Sequence, residues 1–309
     1  MVGILFSTVA FSGCFESSPK TIYVDDDGTA DYTKISDALA QANDGDTVIV
    51  LNGTYNEILI ITRSIDLIGT RKGKTILNCQ DSSELSRDIL IQINADNCTI
   101  DGFEILGCND SSEIIAINVN SSNNIISNIS IRYFHKGISL AEESKNNSIS
   151  RNNISNNQYG IYTRRAFSTN ISHNKFFSNS LYGIYFSISF DNIIFKNNFT
   201  DNNYGIRIKG SDNNLVVGNL IVMNERGLLF CCQASDNIAY YNAFKQNIEY
   251  NARDEFTNNW DNGHIGNYWD DYTAEYPDAL EIDGIWNIPY NISGGDNQDR
   301  YPLINSAYN

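Results

Sequence analysis

From residue 128 onward the chain repeats one alternation of apolar and polar positions every 22 to 24 residues. Gly137, Gly160, Gly183, Gly205 and Gly227 are spaced 23, 23, 22 and 22 apart, and each is followed by an apolar residue. Apolar and polar side chains then alternate over a few positions, the period-two signature of a half-buried strand. This phase points Ile161 and Thr163, Ile184 and Phe186, Ile206 and Ile208, and Leu228 and Phe230 inward. It leaves Tyr162, Tyr185, Arg207 and Leu229 facing out. About eight residues before each glycine stands an asparagine, in the series Asn128, Asn152, Asn174, Asn197, Asn219 and Asn242. Between them lies a further apolar position: Ile131, Ile154, Phe177, Phe199, Ile221 and Phe244.

Strands this short cannot bury an apolar face alone, but stacking one coil on the next closes a continuous core. The pattern therefore predicts an all-β fold, a right-handed single-stranded parallel β-helix of about nine coils between about Asp46 and Tyr250. Equivalent side chains stack at roughly 4.8 Å. Asparagine suits such a ladder because its amide donates to one neighbour and accepts from the next. The repeat glycines are expected at a tighter corner of positive φ. Both ends need caps against exposed core and unpaired backbone. One helix is expected over residues 33–43, with Ile35, Ala38, Leu39 and Ala42 on one face and Asp31 or Thr33 as its N-cap. The predicted organisation is a signal and tether over residues 1–19, the β-helix with its N-terminal cap over 20–252, and an irregular acidic and aromatic cap over 253–309.

Charge narrows the partners. The 37 acidic and 21 basic residues give a net charge of −16. Such a surface repels a phosphate backbone, so nucleic acid is not an expected partner. Residues 2–11 form a short apolar stretch, followed by Phe11-Ser12-Gly13-Cys14. This resembles a lipobox, with lipid attached at Cys14 and a tether through Ser17, Ser18 and Pro19. The protein is then expected to be exported and held at the outer face of a membrane by one lipid anchor. The other cysteines, Cys79, Cys98, Cys108, Cys231 and Cys232, match neither a dense disulfide framework nor a zinc pattern. Cys98 is a candidate partner for Cys79 or Cys108. Adjacent Cys231 and Cys232 are expected one in the core and one exposed.

Tyr23-Val24-Asp25-Asp26-Asp27-Gly28 and Asp44-Gly45-Asp46-Thr47-Val48 resemble the opening of pectin-lyase-fold β-helices. The Asn/Gly repeats resemble coils of NosD-type proteins within the carbohydrate-binding and sugar-hydrolase group. Asn259-Trp260-Asp261, Tyr268-Trp269-Asp270-Asp271 and Asp299-Arg300-Tyr301-Pro302 resemble the tail of archaeal surface members of that family. The resemblance implies a calcium loop in the C-terminal cap. Here only Asp278, Glu281 and Asp283 remain as carboxylates there. Calcium takes six to eight oxygens, so a solvated acidic cap is the simpler expectation. The family name also implies copper. The donors are sparse, with His135, His173, His264, Met223 and the Cys231–Cys232 pair, so a copper site is not expected.

Catalytic chemistry has little to stand on. A glycosidase needs two carboxylates some 5–9 Å apart, yet the outward series Ser139, Tyr162, Tyr185, Arg207 and Leu229 contains no acid. A polysaccharide-modifying enzyme (lyase, epimerase or hydrolase) stands as the enzymatic alternative, the lyase or epimerase resting on Arg207, Lys209 and a tyrosine or a remote acid. A NosD-like, copper-related maturation role stands as another. The better-supported expectation is binding. Tyr159, Tyr182 and Tyr204 precede the repeat glycines, Tyr162 and Tyr185 follow them, and Arg164, Arg165, Arg207 and Lys209 border the strip. Flat rings with hydroxyls suit a glycan or a cell-surface partner.

Overall fold

The computed structural model describes residues 18–79, 88–107 and 113–306. The lipobox with Cys14, and Cys108, lie outside them. Three parallel sheets of ten, nine and ten strands run the length of the molecule. The first starts at Thr21–Val24, the second at Gly53–Tyr55 and the nine-stranded third at Leu59–Ile61. Each regular coil gives one strand to each sheet, as Asn170–Ser172, Lys175–Phe177 and Tyr182–Ser187 do in turn. The result is the expected right-handed parallel β-helix, with about ten coils.

The core is a set of columns. Ile131, Ile154, Phe176, Phe199, Ile221, Phe244 and Trp269 succeed one another in register along the second sheet. All are buried, and Phe176 stacks on Phe199 at 4.8 Å. The expected column member Phe177 is instead 40% exposed. Two adjacent phenylalanines left the phase open by one residue, and a one-residue slip exchanges the two faces of a strand.

Three corner ladders of buried asparagine join the sheets. One comprises Asn152, Asn174, Asn197, Asn219, Asn242 and Asn267. A second comprises Asn157, Asn179, Asn202, Asn224 and Asn247. The third runs Asn124 and Asn147, then Asn192, Asn214, Asn237 and Asn258, with Thr169 in the intervening coil. Asn197 shows the geometry. Its Nδ2 donates to Asn219 Oδ1 at 3.1 Å and to the Ile171 carbonyl at 2.9 Å. Its Oδ1 accepts from the Asn174 backbone N–H at 2.9 Å and from Asn174 Nδ2 at 3.0 Å. Every polar capacity of the amide is met, which makes its burial affordable.

The residue before these asparagines turns the chain, except at the last coil, where Thr257 and Gly266 precede Asn258 and Asn267 without positive φ. Arg151, His173, Lys196, Gly218 and Tyr241 all have left-handed backbone, with φ between 51° and 62°. Asn128 belongs to this turning class and not to the ladder. It is exposed with φ 54°, and its neighbour Ile129 donates its N–H to Asn152 Oδ1. The described sequon asparagines, such as Asn146, Asn153, Asn170 and Asn198, are likewise exposed or half-buried and outside the ladders. The repeat glycines also differ from expectation. They sit inside third-sheet strands, not at a positive-φ corner. A Cβ at Gly183 would lie 2.6 Å from the Gly205 carbonyl oxygen and 2.8 Å from Phe199 Cδ1. Close approach of backbone to core, and not turn geometry, requires glycine there.

The N-terminal helix spans Ile35–Gln41, shorter than expected, and Lys34 provides no side-chain cap. Glu57 from a following loop caps it instead, accepting from the N–H groups of Ile35 at 2.8 Å and Ser36 at 2.9 Å. Asp31 is occupied by the Tyr23 N–H. At the other end Trp269 stacks between Phe244 (4.4 Å) and Tyr290 (4.2 Å). Asp254 accepts from Trp260 Nε1, and Asp299 from Trp269 Nε1, each at 2.9 Å. Gly266 lies against Asp299, where a Cβ would overlap the carboxylate. Arg300 grips Asp261 with two nitrogens, at 2.6 and 2.9 Å. Cys98 is a buried free thiol, so it does not take part in the cross-coil pairing considered for it. Cys79 is disulfide-bonded.

Two outcomes follow. Asn197→Ala strands partners in two coils and is expected to cost about 3 kcal/mol or more, whereas half-buried Asn198→Ala stays within about 1 kcal/mol; paired denaturation curves measure the difference. For Asp299, burial pushes the carboxyl up to about 7, against the pull of the N–H groups of Asn267, Trp269 and Tyr301. The folded pKa lies above the ordinary 3.8, so folding takes up a proton between about pH 4 and 7. Stability from this group is full below that window and is lost as pH rises through it, by roughly 4 kcal/mol in total. Melting temperatures across pH 4–8 should fall more steeply for the native chain than for Asp299→Asn.

Candidate functional site

The third sheet has the longest strands and hence the widest outward face. Its central members Tyr159–Arg164, Tyr182–Ser187, Tyr204–Lys209 and Arg226–Cys231 have six residues each, whereas the matching strands of the other sheets have three. Register places Ser139, Tyr162, Tyr185, Arg207 and Leu229 in one outward column. Lys136, Tyr159, Tyr182, Tyr204, Arg226 and Tyr250 form the column beside it. The five tyrosines and Arg207 expected from the sequence thus share one face.

The rings pack as parallel coils dictate. Tyr159 stacks on Tyr182 at 5.2 Å, Tyr182 on Tyr204 at 5.1 Å and Tyr162 on Tyr185 at 5.5 Å. Arg207 lies at the junction. It donates to Tyr182 Oη at 2.8 Å and sits 5.7–5.9 Å from the ring centres of Tyr182, Tyr185 and Tyr204. Burial works against its charge, but the neighbouring Cys231 and Tyr182 side chains more than compensate and hold the guanidinium protonated. Lys136 lies over the Tyr162 ring at 4.2 Å, and Arg226 over Tyr204 at 4.8 Å. Burial raises the phenols of Tyr159 and Tyr185, so both remain hydroxyl donors at neutral pH. Such cation–ring contacts hold side chains that would otherwise be mobile.

Two nearby carboxylates are paired with arginines. Glu142 pairs with Arg164 at 3.5 Å and Arg165 at 3.2 Å, and Glu249 pairs with Arg226 at 2.5 Å. Arg164 and Lys209 sit at the exposed edge of the strip. A polar cluster that the repeat phase did not reveal lies between the first and second sheets. There Glu104 pairs with Arg132, and Asp101 accepts from Ser127 at 2.6 Å. Lys72, its pKa lowered by burial, lies in the field of both acids. It arises from early coils with poor repeat regularity, which is why the sequence gave no phase for it.

Residues 44–274 match the family described as periplasmic copper-binding protein (NosD). The chain belongs to the NosD family. No curated protein matches the sequence. Among solved structures, the chain is similar to the A-module of the Azotobacter vinelandii mannuronan C-5 epimerase AlgE6, at 14% identity and a TM-score of 0.56, covering 85% of this chain and 82% of that one. It is also similar to the catalytic domain of a GH87 α-1,3-glucanase in complex with tetrasaccharides, at 14% identity and a TM-score of 0.57. That match covers 81% of this chain and 59% of the glucanase domain. At such identity the likeness establishes the pectin-lyase-like fold alone.

The copper in the NosD description finds no ready seat among the described residues. They contain no group of three or more His, Cys, Asp or Glu poised around a metal. His173 and Met223 serve as left-handed corner residues on different ladders, and His135 bonds Gln158 at 3.0 Å. The one soft pair, Cys231 and Cys232, has the Arg207 cation beside it. In the C-terminal cap Asp278, Glu281 and Asp283 are all exposed. Glu281–Ile282 and Ile285–Trp286 form a small hairpin whose turn is Asp283-Gly284, both with positive φ. Turn chemistry accounts for those two residues.

Proposed function

We propose that this NosD-family protein is exported, tethered to the outer face of a membrane through Cys14, and binds glycan without transforming it. The observation that carries the reading is the tyrosine strip of the third sheet with Arg207 at its junction. Five half-buried tyrosines present ring faces and hydroxyls along a straight line of coils. A sugar chain offers alternating apolar faces and hydroxyl edges, and both find partners there. Glu142 and Glu249, which flank the strip, are engaged with arginines, and this favours holding a ligand over proton transfer to it. The periplasmic description of the family and the lipobox-like residues before Cys14 support export. A protein displayed at the cell surface is the other partner class for the same strip.

Glycan-array binding, followed by titration of the best hit, tests the strip. Tyr162→Ala combined with Tyr185→Ala is expected to weaken binding about tenfold or more, from loss of roughly 1–2 kcal/mol of ring contact. Unchanged affinity in a folded double variant would remove the proposal. For the tether, Cys14→Ala expressed in a lipoprotein-processing host should move the protein from the membrane to the soluble fraction.

A further inference from the structure

Cys231 and Cys232 are the feature that the binding reading leaves unused. Cys231 ends the strand Arg226–Cys231 and is 2% exposed, whereas Cys232 is exposed on a left-handed turn with φ 59°, followed by Gln233 with φ 72°. Their sulfurs stand 3.3 Å apart. Register pairs Lys209 with Cys231, and the Arg207 guanidinium lies close enough to Cys231 to oppose the effect of its burial. An electropositive setting with one accessible thiol and one sheltered partner suits thiolate chemistry.

From this juxtaposition we infer that Cys231 and Cys232 form a thiol–disulfide exchange site, which takes exposed small-molecule or protein disulfides as its substrate class. The Cys232 thiolate attacks one sulfur of the incoming disulfide, forming a mixed disulfide and expelling one thiolate. Cys231 then loses its proton to solvent and attacks Cys232 Sγ, expelling the second thiolate and closing the Cys231–Cys232 bond. The protein gives up two electrons, the incoming disulfide gains them, and both expelled thiolates take up protons. Arg207 acts on the second step. Burial holds the Cys231 thiol up, and the adjacent guanidinium opposes that burial.

The product is a labile bond. Consecutive Cα atoms lie about 3.8 Å apart, inside the roughly 4.4 Å lower limit of ordinary disulfides. Strained, accessible disulfides are the readily reduced ones. The site is therefore reversible, unlike a structural bridge.

The test exposes the full chain to oxidised glutathione and maps its peptides by mass spectrometry. The peptide carrying both cysteines should lose two hydrogens and regain them in reduced glutathione, while buried Cys98 stays a free thiol. Cys231→Ser should trap glutathione on Cys232, and Arg207→Met should slow closure about threefold or more, so that mixed disulfide accumulates. Phenylarsine oxide, which bridges two neighbouring thiols, supplies an arm independent of oxidation. One equivalent should protect both cysteines from alkylation in the native chain and lose that hold in Cys231→Ser. A persistent glutathione adduct on Cys232 of the native chain, or no reaction at either cysteine, would overturn the inference. So would arsenical binding that survives the Cys231→Ser change.

Discussion

The side-chain amide of asparagine, buried and doubly used, is the interaction on which this solenoid depends. Parallel strands supply regular backbone bonds along each sheet, but a coil must also turn three times, and each turn takes backbone groups out of the ladder. A buried donor left unpaired costs about 1–3 kcal/mol. At each corner the asparagine Oδ1 accepts the backbone N–H of the preceding coil, while Nδ2 bonds one carbonyl and the next amide. The left-handed residue before it swings the side chain inward at each step short of the last coil. Corner geometry and polar satisfaction are thus solved by one dipeptide, repeated.

This device explains both the length of the repeat and its tolerance. The turning residue can be Arg, His, Lys, Gly or Tyr, because only its backbone is constrained and its side chain points to solvent. The amide after it has no such freedom. A repeat unit therefore carries three fixed polar positions, four inward apolar columns and one glycine against a core side chain, with the rest open to variation. The acid-rich ends obey a related rule. Where the stack stops, Asp254 and Asp299 take over the accepting role for indole N–H groups, with the stacked rings Phe244, Trp269 and Tyr290 closing the core.

Much of this was legible from spacing. The glycine period established the coil length, and the alternation after each glycine assigned inward and outward faces correctly for all four central strands. Two of the three ladders escaped notice because Asn-Asn and Asn-Ser pairs are frequent, and adjacent asparagines give no hint of which one is inside. Asn128 is one residue out of phase because Ile129 holds the ladder position in that coil, and Phe177 because Phe176 beside it is equally apolar. The role of the glycines depends on a neighbour two corners away, Phe199 for Gly183, which no local pattern reveals. Glu57 as a helix cap was hidden in the same way, since it arrives from outside the helix.

The candidate site follows from the same economy. Corners and short strands are committed to the ladders, so the six-residue strands of the third sheet are where outward positions can vary without loss of the fold. In these coils the variation has run towards tyrosine and arginine on an acidic protein of net charge −16. Exposed columns need only fill space, and threonine or valine would do so with comparable strand propensity. Five tyrosines in two columns, with a guanidinium over three of the rings and bonded to the Tyr182 phenol, make an arrangement with directional donors. Those donors are spaced by the coil repeat, so a ligand that meets two rungs must itself be extended and periodic. If the strip holds glycan as proposed, a compact ligand would engage one rung and forgo the stacking, so the geometry would favour a chain over a single sugar.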